Sequence, residues 1–278
     1  PADLLQKTGQ DATKAFQVSN AISPELEHYR LSLMPSLLDK VHPNIKAGYD
    51  EFALFELGKA HDLDHIDQDG LPVEFEFTGF VITAADKLKK AGSAYYEARK
   101  YLEFLTSADL VFKPISADMM AYPVVQPYEP RRSAMVSLKG GSYLGIIGEF
   151  KPSVTRALKL PKYTAGFEVD TLALHKLLSN SSSYQPLSRF PEVKQDITLR
   201  VKSEMTAQEL YDLMWSELTE NSLENTETGL DLIDIFQKQD DDSKQITFRV
   251  TITGTDRTLT DKEVTAVLDK IAEGTKAK

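Results

Sequence analysis

The sequence has no cysteine and a single tryptophan among its 278 residues. Without cysteine there is no disulfide framework, no thiolate nucleophile and no cysteine-ligated zinc, a usage that fits a reducing compartment. Positive charge is also scarce: 32 Lys and Arg stand against 42 Asp and Glu, for a net charge of −10. That balance runs against a partner made of phosphates, whose binding draws on Lys and Arg. No apolar run approaches the ~18 residues of a membrane-spanning helix, and no charged-then-apolar leader opens the chain, so no membrane role is expected. The first residue is Pro1 rather than Met, as expected of a piece of a longer polypeptide. What is present is an ordinary globular share of apolar residues, 41%, which excludes wholesale disorder and collagen-like structure.

A polar stretch, Ser179-Asn180-Ser181-Ser182-Ser183, reads as a linker between two packed units. Charge divides unevenly across it: residues 1–180 carry a net −3 and residues 181–278 a net −7. The first unit mixes helices and strands. Ser23-Pro24-Glu25 is a helix-start signal, and Leu31, Met34, Leu37, Leu38 and Val41 follow at helical spacing. Pro35 predicts a break and restart in that helix, and Pro43 its end. Phe52–Leu57 and Val73–Thr83 read as strands, and Ala85–Leu105 as one long amphipathic helix. Ala134–Leu138 and Tyr143–Ile147 flank Lys139-Gly140-Gly141-Ser142 and predict a hairpin. A short strand at Phe167–Val169 and a short helix over Thr171–Leu178 complete the unit.

The second unit reads β-α-β-β-α, one strand short of the ferredoxin-like β-α-β-β-α-β pattern. Its strands are Asp196–Val201, Leu230–Gln237 and Gln245–Thr253. Thr206 with Glu209, and Thr260 with Glu263, are capping boxes that open its two helices. A fourth strand is expected after the last helix, either absent or cut away at Lys278. In this arrangement both helices cover one sheet face and leave the other open. Period-2 alternation puts Ile197, Leu199, Val201, Ile233, Ile235, Ile246, Phe248, Val250 and Ile252 toward the helices. It puts Thr198, Arg200, Asp234, Phe236, Gln245, Thr247, Arg249 and Thr251 on the open face. Hydrogen-bonding groups around one aromatic ring suit the recognition of unpaired bases. They equally suit an ordinary solvated face with one exposed Phe, and periodicity leaves both readings standing.

Motifs for covalent chemistry are missing. His61–Gly70 resembles a calcium loop at Asp67, Asp69, Gly70 and Glu76, but His65 stands where the first Asp belongs. A solvated hairpin loop is the expectation. Gly140–Gly148 is glycine-rich without the ending of a phosphate loop. Of five histidines only His61 and His65 are close in sequence, and no His-Glu-x-x-His array or Gly-x-Ser-x-Gly elbow occurs. No catalytic residue and no metal ligand is assigned.

Specific strings go further. Ser188-Arg189-Phe190-Pro191, Asp196-Ile197-Thr198-Leu199 and Arg257-Thr258-Leu259-Thr260-Asp261-Lys262-Glu263-Val264 resemble the carboxy-terminal domain of bacterial phenylalanyl-tRNA synthetase beta subunits. Upstream, Tyr29–Leu38 is similar to that family's Arg-Thr-Ser-Leu-Leu-Pro-Gly-Leu-Leu segment, and Leu54–Gly58 to its Leu-Phe-Glu-Ile-Gly strand. Ile146–Pro152 resembles its Ile-Gly-Glu-hydrophobic-His-Pro turn. The matches keep their order from about Val18 onward.

The resemblance implies an α+β chain: a class II synthetase-like antiparallel sheet with helices over 1–180, without catalysis, then a ferredoxin-like anticodon-binding domain over 185–278. It implies docking on a catalytic alpha subunit, binding of tRNA(Phe), a cytoplasmic enzyme of two alpha and two beta subunits, and ATP and magnesium used by the whole enzyme but not by this piece. The family's anticodon-reading positions fall on Thr198, Asp234, Phe236 and Gln245, with Lys244 and Arg249 as further candidates. Phe236 replaces a family Tyr and keeps the ring without the hydroxyl. Gln245 replaces a Ser and is longer. Tyr128–Ala134 departs from the family's His-Pro-Gly-Arg-Ser-Ala loop. The alternatives are a protein-interaction scaffold or a small-molecule regulatory module without RNA binding.

Overall fold

A computed structural model describes the chain except for residues 24, 25, 107, 179–187, 239–241, 277 and 278. The Ser179–Ser183 stretch and the Pro24-Glu25 signal therefore lie outside the described residues. The chain divides into two compact units, Pro1–Ser181 and Ser182–Lys278.

In the first unit, α1 (Ala2–Lys7) and α2 (Met34–Lys46) precede the hairpin of β1 (Glu51–Ala60) and β2 (Phe75–Ala84). Then come α3 (Ala94–Thr106), β3 (Leu110–Pro114), β4 (Tyr128–Leu138), β5 (Tyr143–Phe150), α4 (Pro152–Ala157), β6 (Tyr163–Asp170) and α5 (Thr171–Leu178). The six strands form one sheet in the order β1-β2-β6-β5-β4-β3. Every neighbouring pair is antiparallel. Alternation places Val81, Ile146 and Phe150 under Met34, Leu37, Leu38 and Val41 of α2. The opposite face sets Ile82, Ile147 and Phe167 against Ala98 and Leu102 of α3 and Leu174 of α5. Burial on both faces is what removes most of this sheet's apolar surface from water.

Three helix boundaries differ from expectation. α2 begins at Met34 with Pro35 in its first turn, so the proline starts the helix where a break and restart were read; proline's missing N–H costs nothing there. The same helix runs through Pro43 to Lys46. Asn44 Nδ2 donates to the Lys40 carbonyl at 2.8 Å, and the Ala47 amide closes on the Pro43 carbonyl. The long helix read from Ala85 starts only at Ala94. Lys89 and Gly92 adopt left-handed backbone, with φ of 47° and 74°, and Ser93 Oγ accepts the Tyr95 amide as a cap. The predicted hairpin at 139–142 forms, with Gly141 at φ 89° and the Leu138 amide donating to Ser142.

The His61–Gly70 segment joins β1 to β2 as a hairpin loop, bridged at Ile66 and Pro72. The Asp67 carboxylate accepts the amides of Asp69 and Leu71, an Asx turn that holds the loop closed.

The second unit contains β7 (Glu192–Lys202), α6 (Ala207–Glu220), β8 (Thr226–Phe236), β9 (Ser243–Gly254) and α7 (Asp261–Lys276), with sheet order β7-β9-β8, all antiparallel. This is the predicted β-α-β-β-α order. Among the described residues no strand pairs with the outer edge of β7. Leu210, Met214 and Leu218 of α6 and Val264, Val267 and Ile271 of α7 are buried together with Ile246, Phe248, Val250 and Ile252 of β9. The Thr206–Glu209 capping box is complete. At α7 the Glu263 carboxylate accepts from Thr260 N and Oγ1 and from Arg257 at 2.6 Å.

One irregularity shifts a predicted face. Leu232 pairs with Phe248 and Asp234 with Thr247, so Ile233 is a bulge. Leu230 and Leu232 are therefore buried, and Ile233 takes no regular helix-facing position. An extra residue reverses parity along the strand. Asp234 and Phe236 consequently stay on the open face while the leucines before them point inward.

Candidate nucleic-acid interface

Cross-strand register assembles the open face of the second unit row by row. One row is Thr198–Thr247–Asp234 and the next is Arg200–Gln245–Phe236. A third is Asp196–Arg249–Asp231. Paired residues project from the same side of a sheet, so Thr198, Asp234, Phe236 and Gln245 occupy two adjacent rows. These residues come from three strands and span 48 positions of sequence.

Thr198 Oγ1 and Thr247 Oγ1 share a hydrogen bond at 2.9 Å, which orients both hydroxyls beside the exposed Asp234 carboxylate. Phe236 is 52% exposed, an apolar ring at the end of β8. Such a ring offers a π-face to any base, and the neighbouring hydroxyl, amide and carboxylate offer donors and acceptors for base edges.

The two further candidates are placed differently. Arg249 lies on the open face but is engaged bidentately by Asp196, at 2.8 and 2.9 Å. The guanidinium holds the Asp196 carboxyl below its ordinary range. Lys244 pairs in register with Val201, on the helix side. Its ammonium donates to the Ser203 carbonyl at 2.9 Å, and burial pushes its pKa down. The structure therefore does not bring Lys244 together with the other candidates.

The first unit carries a different surface. A cleft of about 410 Å3 opens between the edge strand β1 and helices α3 and α5. Phe55, Leu57, Phe80, Tyr101, Phe104 and Leu174 line it. Phe55, Leu57 and Phe104 are 74%, 63% and 85% exposed, more apolar surface in one place than isolated exposed side chains provide. The sequence signal was available in β1, where Phe52 and Leu54 alternate with Phe55 and Leu57, apolar on both faces of an edge strand. Among the described residues, no group of three or more His, Asp or Glu is arranged to hold a metal ion, and no helix is long and apolar enough to cross a membrane.

Known protein families match both units of the chain. Residues 1–171 match the family model described as the phenylalanyl tRNA synthetase beta chain CLM domain. Residues 188–278 match the ferredoxin-fold anticodon binding domain. The chain is similar to the phenylalanine–tRNA ligase beta subunit of Carboxydothermus hydrogenoformans, with 26% identity over 273 residues, 96% of this chain and 33% of that protein. The beta subunit of Staphylococcus epidermidis is 31% identical over 255 residues, 89% of this chain and 30% of that protein. That of Latilactobacillus sakei is 26% identical over 279 residues, again 96% and 33%. The chain thus spans about a third of the length of the curated relatives it matches.

Proposed function

From the premise that this chain belongs to the phenylalanyl-tRNA synthetase beta-chain family, we propose that it serves phenylalanyl-tRNA formation as the docking and anticodon-reading part of a beta subunit. Residues 1–180 act as a non-catalytic scaffold for the catalytic alpha subunit, and residues 185–278 read the anticodon of tRNA(Phe). The whole enzyme is a cytoplasmic heterotetramer of two alpha and two beta subunits. ATP and magnesium are used there, and this piece supplies no group to either.

The observation that carries this reading is the convergence of Thr198, Asp234, Phe236 and Gln245 on two neighbouring rows of a solvent-facing sheet in a domain of the anticodon-binding family. In the proposed complex Phe236 stacks on an anticodon base. Asp234 accepts from a base amino or imino group. Thr198 and Gln245 complete the polar contacts, Gln245 with a longer reach than a serine would have. Recognition of this kind needs unstacked bases, which an anticodon loop provides. The apolar cleft at β1 supports protein docking by the first unit, since surfaces of this kind mark interaction sites.

Base–aromatic stacking contributes ~1–3 kcal/mol. Phe236→Ala in the full-length beta subunit, assembled with alpha, is therefore expected to weaken tRNA(Phe) binding ~5- to 150-fold. Filter binding or fluorescence titration of the assembled enzyme measures it, and an unchanged affinity sinks the stacking assignment.

A further inference from the structure

Arg200 lies at the far end of the row that ends in Phe236, with Gln245 between them. Its Nε donates to Ser243 Oγ at 2.7 Å. Ser243 belongs to the neighbouring strand and is two residues from Gln245, the residue directly opposite Arg200. Arg200 is exposed, and its side chain reaches across the open face toward β9. A tethered guanidinium plane can carry a base as an aromatic ring does.

We propose that Arg200 is a second stacking plane on this face and receives the base of a nucleotide next to the one stacked on Phe236. The proposal rests on the anticodon-reading function above and specifies how many nucleotides the sheet holds. β7 and β8 flank β9, and strands lie ~4.8 Å apart, so the strands that carry the two side chains are roughly 10 Å apart. That is well beyond the ~3.4 Å spacing of bases stacked on one another. The two bases are held splayed, one on each plane, with the Gln245 amide between them to meet an edge of either.

Three other cations of this unit have different settings. Arg249 is engaged by the Asp196 carboxylate, Lys194 is paired with Glu192 at 2.5 Å, and Lys244 is turned to the helix side. Arg200 is the guanidinium in register with the exposed ring.

The test uses the assembled full-length enzyme and tRNA(Phe), with Arg200→Ala, Arg200→Lys and Phe236→Ala, and transcripts made abasic one at a time at the anticodon-loop nucleotides. Thermal melts of each variant confirm folding. Arg200→Ala is expected to weaken binding about fivefold or more, and Arg200→Lys, which keeps the charge without the plane, to weaken it nearly as much. The Arg200→Ala loss should vanish on a transcript abasic at one nucleotide, and the Phe236→Ala loss on a transcript abasic at an adjacent one. Full affinity with lysine would mean a phosphate contact and overturn the proposal. So would an unchanged Arg200→Ala affinity beside a weakened Phe236→Ala, or silencing of both losses by the same abasic position. If neither alanine variant changes binding, the anticodon-reading assignment of this face itself fails.

Discussion

Glu168 is fully buried in the middle of β6, yet its carboxylate is occupied. It accepts the backbone amides of Leu33 and Met34 at 2.9 and 3.2 Å and so caps the start of α2. Gly79 beside it in register leaves room for that helix, because a Cβ there would come within 2.9 Å of the Leu37 side chain. Burial raises the Glu168 pKa to about 7, against the opposing effect of the two amides and Arg30. The sign follows from the direction. The unfolded carboxyl titrates near its ordinary 4.5, the folded one near 7, so the folded state binds more protons between those values. This group therefore favours folding most at low pH, and the advantage is lost as pH rises from about 4.5 through about 7. Against Glu168→Gln, the wild-type melting temperature should fall more steeply between pH 5 and pH 8. Parallel pH profiles from circular-dichroism melts would remove Glu168 from the account. Nothing in the string Phe167-Glu168-Val169 marks this role, since a strand glutamate ordinarily faces water and only α2, over 130 residues away in sequence, makes it a cap.

At the scale of elements, local chemistry was legible where it is self-contained. The Thr206–Glu209 box needs only four consecutive residues, and it forms as read. Thr206→Ala should destabilise the second unit by ~1 kcal/mol, while Thr206→Asp, which keeps a capping oxygen, should change it by much less. Denaturant melts of both variants check this, and equal losses would show that the cap is not the cause. Several strings that carried the family resemblance are structural in the same sense. Arg257, Thr260 and Glu263 form one capping cluster, which holds the Glu263 carboxyl down to about 2. Ser188 ties the entry of β7 to the Gly254 carbonyl at 2.6 Å. Periodicity misled where apolar spacing ran on past a break in the backbone. The helix read from Ala85 ignored the Gly92-Ser93 turn, and the stripe from Leu31 included that one residue before the helix, which packs against Leu5 and Ala15 instead.

For the whole molecule, a net charge of −10 makes these units poor attractors of phosphate. Base contacts and protein docking, the two roles proposed above, are ones that a negative surface can still fill. The docking proposal is testable at the β1 cleft. Leu57 is 63% exposed, so Leu57→Asp should leave folding nearly intact. In the full-length beta subunit it should weaken assembly with alpha by at least ~30-fold, the effect of losing a central contact of about 2 kcal/mol. Sedimentation of the mixed subunits measures it, and wild-type assembly would place the alpha contact elsewhere.

The sequence by itself determined the order of strands and helices in the second unit, its two caps, the α+β class, and which family it resembles. These depend on periodicity, capping and ordered strings, all written within short windows. Only the tertiary structure decided that Ile233 bulges, that Arg249 is held by Asp196, and that Arg200 shares a row with Phe236. Each of those depends on register between strands distant in the chain, and a slip of one residue exchanges the two faces of a sheet.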